Sequence, residues 1–179
     1  MKHYLFIVPI AVAVLVVALF LSSSEEKKIA EQLEQLRNLT EIHGAESGMQ
    51  QATKGRQIGQ YFDAQTTFDL TNAGYRKYEI ASRQELVQRV IRGRIKLEKL
   101  ELALHDPGIT VDGDRARVEV QGTALGSRRG EQGQFFESHL IEVILRKIDG
   151  EWLVVAARHI RDDRTDTELL NGTADTARR

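Results

Sequence analysis

The stretch QFFESHLIEVILRKIDGEWLVVAARHI, residues 134–160, decides the fold that we expect for this chain of 179 residues. Runs rich in apolar residues lie on both sides of Asp149-Gly150. An Asp-Gly pair between two such runs indicates a β-hairpin closed by a two-residue turn, with Ile148 opposite Glu151. The sequence therefore predicts two long, paired, antiparallel strands near the end of the chain.

Both faces of this predicted hairpin are substantially apolar. One face carries Ile141, Val143, Trp152 and Val154, and the other carries Leu140, Ile144, Leu153 and Val155. A sheet that is apolar on both faces needs cover on both, and helices on one side of the sheet cover only one of them. We therefore expect a homodimer, or a larger complex, that buries the outer face of these strands.

Further strands precede this hairpin. The run from Arg115 to Leu125 alternates sharply between apolar and charged residues, and Asp112-Gly113 gives a second hairpin signal just before it. Earlier still, leucines alternate with polar residues until the segment His105-Asp106-Pro107-Gly108, where we expect the chain to turn. The second half of the sequence thus predicts an antiparallel sheet.

The first half of the chain has helical periodicity instead. Ser82 with Glu85 forms a capping-box pattern that starts one helix, and Ser23 with Glu26 starts an amphipathic helix that runs to about Ile42. A further helix is predicted before the turn-like Asn72 by apolar and polar residues at helical spacing: Ile58, Tyr61, Phe62, Gln65 and Phe68.

Residues Tyr4 to Leu21 form an apolar run of 18 residues without a charge. As a helix this run is about 27 Å long, close to the thickness of a bilayer core. A cleaved secretory signal is the alternative, but the run is longer than a usual signal core and lacks an Ala-x-Ala site, so we expect an uncleaved anchor. The short basic leader favours a single-pass protein of the inner (plasma) membrane with an extracytoplasmic, periplasmic carboxyl-terminal domain.

The predicted organisation is therefore an α+β chain: an amino-terminal transmembrane helix, then helices packed on a curved antiparallel sheet. The expected divisions are a short tail at 1–3, the transmembrane helix at 4–21, a stalk helix and joint at 22–55, the folded domain at 56–162 and a disordered tail at 163–179. The stalk helix either packs on its own domain or mediates self-association.

Composition narrows the function classes. The chain has 25 Lys and Arg against 26 Asp and Glu, giving a formal net charge of −1, and no long basic block, so we expect no nucleic-acid partner. It has no cysteine, which excludes disulfides and thiol nucleophiles, and its five histidines show no metal-ligand spacing. We expect no metal and no cofactor.

Three stretches resemble a known family. They are Ser82-Arg83-Gln84-Glu85-Leu86 at a helix start, Val111-Asp112-Gly113-Asp114-Arg115-Ala116-Arg117-Val118 at one hairpin and Ile148-Asp149-Gly150-Glu151-Trp152 at the other. In this order they resemble the nuclear transport factor 2-like (NTF2-like) or cystatin-like domains, and the bacterial SnoaL-like proteins among them, over about Gln57 to Asp162. The resemblance implies a curved sheet that wraps a cone, which serves as a binding pocket, an active site or a filled core.

The same resemblance implies several functions. SnoaL-like proteins include small-molecule isomerases and dehydratases, whereas inner-membrane scaffold proteins of type IV secretion systems share the layout of one span followed by such a domain. Because no catalytic set matches residue by residue, we expect a binding or assembly module of a membrane complex rather than an enzyme. A carrier of an apolar ligand, an isomerase or dehydratase that uses the cone, and a secretion-system scaffold stay open as alternatives.

Five residues are candidates for lining a ligand pocket, and none is assigned a catalytic role. In the predicted register Glu142 opposes Ala157 and has His159 as its diagonal neighbour on the same face, where a carboxylate beside an imidazole forms an acid–base or structural ion pair. Aromatic side chains complete the set, which is Tyr61, Tyr75, Glu142, Trp152 and His159.

Overall fold

The computed structural model describes residues 7–74 and 76–160, with side chains from residue 24 onward apart from that of Ala73. Its helices are α1 (Ile7–Thr40), α2 (Gly48–Gly59) and α3 (Arg83–Lys96), with a short 3-10 turn at Thr71–Ala73. Its strands are β1 (Phe62–Asp69), β2 (Lys77–Ile80), β3 (Leu97–Asp112), β4 (Arg115–Arg128), β5 (Phe135–Ile148) and β6 (Glu151–His159).

The six strands form one curved sheet in the order β2-β1-β6-β5-β4-β3. Neighbours are antiparallel except β1 and β6, which run parallel. The α+β class is confirmed, whereas the expectation of a purely antiparallel sheet is wrong at this one pair.

The parallel pair arises from a segment that we predicted to be helical. Residues Phe62–Asp69 form β1 because the backbone N–H of Val154 donates to the Tyr61 carbonyl at 2.9 Å, and the Thr66 hydroxyl donates to the Val154 carbonyl at 3.2 Å. The Thr66-Thr67 pair favours an extended backbone, so contacts with β6 override the helical spacing of the neighbouring aromatic residues. The helix lies earlier, in α2, and ends at Gly59.

Both predicted Asp-Gly hairpins are confirmed. Asp112 pairs with Arg115 across the β3–β4 turn, and Ile148 pairs with Glu151 across the β5–β6 turn. The segment at His105, however, is no chain reversal. It lies within β3 as a bulge between His105 and Gly108, where Asp106 has a φ of +44°.

Helix α1 is continuous through the place where we predicted a helix start. The backbone is helical from Ile7 to Thr40, so Ser23 lies inside the helix and does not begin it. Within the described residues no helix is long and apolar enough to cross a membrane. The predicted span Tyr4–Leu21 lies outside the residues whose side chains are described, as does the predicted tail at 163–179.

The carboxyl-terminal half of α1 packs on its own sheet. Ile29 is fully buried and Leu33 is 8% exposed. They share one core with sheet residues from β4, β5 and β6: Ala116, Val118, Val120, Leu145, Trp152 and Val154. One face of the sheet is therefore filled by α1, while the predicted boundary between stalk and domain at residue 55 stays a prediction.

Helices α2 and α3 pack closely through two glycines. A Cβ on Gly59 would lie 2.6 Å from Cγ2 of Val87, and one on Gly55 would lie 2.6 Å from Cγ1 of Ile91. The predicted helix start at Ser82 is confirmed, since the Glu85 N–H donates to the Ser82 hydroxyl at 3.2 Å. Helix α3 contacts β1, β2 and β3 of the sheet, and α2 packs on α3 and α1.

Candidate functional site

A bulge in β6 changes the faces on which the predicted site residues lie. Leu145 pairs with Val154, but the next pair is Ile144 with Ala156, so Val155 has no residue opposite it. Beyond the bulge, each side chain of β6 points to the face opposite the one that it would occupy in a regular strand. Our prediction that Glu142 and His159 share a face is therefore wrong.

Glu142 lies opposite Arg158, on the face of the sheet away from α1. The residue is 1% exposed, and its carboxylate forms ion pairs with the guanidinium groups of Arg117 and Arg158. Hydrogen bonding to Glu142 raises the pKa of Arg158 above its ordinary value. Because both arginines hold this carboxylate, Glu142 is placed as the centre of an ion cluster and not as a general base.

His159 lies on the helix-covered face, opposite Ile141. Its ring meets that of His139 edge to face, with ring centres 5.2 Å apart, and Nε2 of His139 lies 3.7 Å from Oε2 of Glu137. The Asn72 amide also donates to the His159 carbonyl at 3.1 Å. The structure thus places two histidines and a carboxylate together, a grouping that the regular register had hidden.

Tyr61 and Trp152 line a polar cleft of about 820 Å³ between α1, the α2–β1 junction and the β5–β6 hairpin. The Tyr61 hydroxyl donates to Oε1 of Gln35 at 3.1 Å, and Gln32 donates to the Trp152 carbonyl at 2.6 Å. Four glutamine and glutamate side chains of the cleft wall come from one face of α1 and the end of α2: Glu31, Gln32, Gln35 and Gln60.

The five predicted residues therefore do not form one site. Tyr61 and Trp152 border the cleft, Glu142 is on the outer face and His159 is on the helix-covered face. Tyr75 lies outside the described residues. Among those residues no group of three or more His, Asp and Glu is placed to bind a metal ion. The ligand-binding role of the five residues stays a prediction.

Sequence reasoning missed an ion cluster at Glu25. The Glu25 carboxylate accepts hydrogen bonds from Nε1 of Trp152 at 2.7 Å, Nζ of Lys28 at 2.7 Å and Nζ of Lys147 at 2.9 Å. These bonds, that of Lys28 first, lower the pKa of Glu25 to about 2. The cluster connects α1 to the β5–β6 hairpin, four residues beyond the predicted span. The one signal in the sequence was Trp152, because a tryptophan N–H usually finds a hydrogen-bond acceptor when the ring is buried.

The face of the sheet opposite α1 carries exposed apolar side chains. Phe136 is 68% exposed and Leu125, its partner across β4 and β5, is 37% exposed. On the same face of β4, Arg115, Arg117 and Glu119 are exposed, whereas the alternate residues of that strand are buried against the helices. In the described part of the chain the Phe136 and Leu125 side chains remain open to solvent.

A family model described as a SnoaL-like domain matches residues 50–158. The chain belongs to the SnoaL-like domain family. This confirms the resemblance that the helix start and the two hairpins suggested, and the matched residues contain α3, strands β1 to β5 and β6 up to Arg158. No relative of the sequence is found among curated proteins.

Solved structures share this SnoaL-like fold at low sequence identity. An NTF2-like superfamily protein from Salmonella enterica is 17% identical, with a TM-score of 0.58, covering 77% of this chain and 91% of that one. A proposed scytalone dehydratase from Novosphingobium aromaticivorans is 11% identical, with a TM-score of 0.61, covering 76% and 83%. The association domain of a calmodulin-dependent kinase, CaMKII, from Caenorhabditis elegans is 12% identical, with a TM-score of 0.56, covering 78% and 98%.

Proposed function

We propose that this SnoaL-like chain is a membrane-anchored assembly module that forms a homodimer through the outer face of its sheet. The observation that carries the proposal is the exposed cross-strand pair of Leu125 and Phe136 on the face opposite α1. Burying a phenylalanine of this kind contributes on the order of 1–2 kcal/mol, and a stable interface needs about 800 Å² from each partner. Four neighbouring strands, β3 to β6, offer a continuous surface for it.

The content of the two faces supports an assembly role over catalysis. On the covered face Ile29 and Leu33 of α1 fill the sheet's concavity with aliphatic side chains, and on the outer face Glu142 is neutralised by two arginines. A pocket for an apolar substrate needs open volume with converging polar groups instead. The same fold in a kinase association domain is an analogy at the level of fold alone.

We also propose that Tyr4–Leu21 anchors the chain in the inner membrane with the domain outside the cytoplasm. The support is the uncharged run of 18 residues behind a short basic leader. The helical backbone continues from Ile7 to Thr40, and Glu25 lies on it with a hydrogen bond from Trp152 of the domain. A continuous helix would hold the domain close to the bilayer surface.

The dimer is tested by a substitution that places a charge at the centre of the proposed interface. Light scattering on the purified full chain in a neutral detergent should report a dimer that Phe136→Glu converts to a monomer. Met49→Glu is the matched control, because Met49 is 81% exposed on α2, away from the sheet. A monomeric wild-type chain, or dissociation by both substitutions, would refute the proposed interface.

Small-molecule binding is the second candidate function. The observation that favours it is the cleft of about 820 Å³ that Tyr61 and Trp152 border, together with a fold shared with a proposed dehydratase. Soaking with fragment mixtures and recording whether density occupies the cleft separates this candidate from the first. If a fragment still binds in the Tyr61→Phe variant and no longer binds in the Gln35→Ala variant, the wall that α1 contributes to the cleft is the recognition element.

A further inference from the structure

A cluster of cationic side chains lies where α3 meets the loop between β4 and β5. Arg92 and Lys96 are one helical turn apart and both are exposed. Arg129 joins them because its backbone N–H donates to the Lys96 carbonyl at 2.9 Å, and Arg128 precedes it. We call these four residues the basic surface.

Most of this charge is uncompensated. In the part of the chain that the structure describes, no carboxylate oxygen lies within 4.0 Å of the charged groups of Arg92, Lys96 or Arg129. Arg128 has only an exposed contact with Glu131 at 3.5 Å. Because the whole chain has a net charge of −1, this positive potential is local and not a property of the composition.

Other cations of the same helix behave differently. Arg89 pairs with Glu85 at 2.8 Å, and buried Arg94 pairs with Glu46 at 2.8 Å. Interaction with the carboxyl-terminal end of the α3 dipole explains why a cation is favourable at Lys96. It does not account for Arg128, the last residue of β4, or for Arg129 in the loop that follows.

Apolar side chains accompany the basic surface. Ile95, 49% exposed, lies between Arg92 and Lys96 in sequence and lines with them a shallow groove of about 700 Å³. Helices α2 and α3 are antiparallel, since Gly55 meets Ile91 and Gly59 meets Val87. The first turn of α2, with Met49 81% exposed, is therefore at the same end of the helix pair.

We propose that the basic surface docks an acidic, amphipathic segment of a partner protein, whose carboxylates meet the arginines and whose apolar residues meet Ile95. The inference rests on the assembly role proposed above and gives the chemistry of the second partner. A groove that combines cations with exposed aliphatic side chains fits an amphipathic helix better than a purely polar ligand. The positive charge of Arg92, Lys96 and Arg129 also disfavours a basic partner.

The position of the basic surface favours a protein as its binding partner over the bilayer in which the proposed anchor lies. Arg94 donates to the carbonyls of Leu39 and Thr40, so α3 ends beside the last turn of α1. The helical residues from Leu21 to Thr40 span about 28 Å. A basic surface at the far end of α1 is then held away from the lipid headgroups unless the helix lies flat.

The test measures binding of a fluorescent glutamate–leucine amphipathic peptide to the full chain in a neutral detergent, by anisotropy. We expect binding that weakens with salt, and Arg92→Glu with Lys96→Glu should weaken it by about tenfold or more. Lys27→Glu with Lys77→Glu is the control with the same change in net charge, at exposed lysines outside the basic surface. It should retain binding.

Several results would overturn the inference: no salt-dependent peptide binding, an equal loss in the control variant, or tighter binding to phosphatidylglycerol vesicles or to a DNA duplex than to the peptide. Light scattering on the Arg92→Glu, Lys96→Glu variant should still report the dimer. A variant that stays dimeric but loses the peptide separates this surface from the sheet interface, so the failure of one proposal is distinguishable from the failure of the other.

Discussion

Arg94 of α3 forms a two-pronged ion pair with Glu46, its Nη2 lying 2.8 Å from both carboxylate oxygens. The same guanidinium donates to the carbonyls of Leu39, Thr40 and Glu41, which end α1 without helical partners. Arg94 is 4% exposed. One side chain thus closes the end of α1 and fixes α3 against it.

Arg94→Leu should lower the free energy of unfolding by about 3 kcal/mol, because it leaves three carbonyls without this donor and leaves the partly buried Glu46 carboxylate with Lys54 alone, at 2.8 Å. Urea unfolding followed by circular dichroism measures this. Arg92→Leu, on the same helix but exposed and without a described carboxylate partner, should change stability by less than about 0.5 kcal/mol. Equal losses for the two variants would contradict the role given to Arg94.

Gly59→Ala should destabilise the chain, since the new methyl group would lie 2.6 Å from Cγ2 of the stiff, β-branched Val87. Overpacking of this kind costs about 1–3 kcal/mol. Gly93→Ala is the opposite case, because nothing lies within 4 Å of a Cβ there and the position is inside α3. It should stabilise by about 0.5–1 kcal/mol. Thermal unfolding of the two variants should therefore shift in opposite directions.

The ion cluster at Glu25 predicts a pH dependence. Its pKa is lowered from 4.5 to about 2 in the folded chain, first by the hydrogen bond from Lys28. A depressed pKa means that this stabilisation is present above pH 4.5 and is lost as the pH falls toward 2. Glu25→Gln should therefore flatten the fall of stability over this interval.

Urea midpoints measured across this pH range test the Glu25 prediction. Glu31→Gln is the control, because Glu31 has a 61% exposed side chain and a distant contact with Lys27 at 3.9 Å. It should leave the slope unchanged. A wild-type slope in Glu25→Gln would mean that other carboxylates govern the acid sensitivity.

The proposed anchor predicts membrane retention. The full chain should remain in the membrane fraction after an alkaline wash, and a chain that lacks residues 1–21 should be released. Since the sequence has no cysteine, a single cysteine at exposed Ser47 reports sidedness by its reaction with an impermeant maleimide on intact cells. Release of the full chain by the wash, or labelling only after lysis, would argue against the anchor or its orientation.

The hairpins could be predicted because their turns are local. Asp112-Gly113 and Asp149-Gly150 specify a two-residue loop whatever the rest of the chain does, and Gly113 and Gly150 adopt φ values of +60° and +87°. Ser82 could be predicted as a helix start for the same reason. Local patterns were not sufficient everywhere, since the helix start predicted at Ser23 and the turn predicted at His105 were wrong because α1 and β3 continue through them.

Features that depend on distant contacts were not readable. Strand β1 was mistaken for a helix because its partner, β6, is some 90 residues away, as the bond between Thr66 and Val154 shows with a separation of 88. The bulge at Val155 has no local signature, yet it moved His159 to the other face and replaced Ala157 by Arg158 opposite Glu142. The predicted pairing of Glu142 with His159 failed at that one residue, whereas the ligand-binding role of the candidate residues stays a prediction.

The measurement that tests the central proposal most directly is disulfide cross-linking of single-cysteine variants in native membranes. Ser138 is exposed on the outer face, opposite Thr123, and Thr53 is exposed on α2, so Ser138→Cys is the probe and Thr53→Cys the control. A chain that dimerises through the outer face should give a covalent dimer from Ser138→Cys under mild oxidation, lost when Phe136→Glu is added, and little from Thr53→Cys. Equal cross-linking of both variants would contradict the outer face as the interface. So would the absence of a covalent dimer from Ser138→Cys both under oxidation and with a short bis-maleimide.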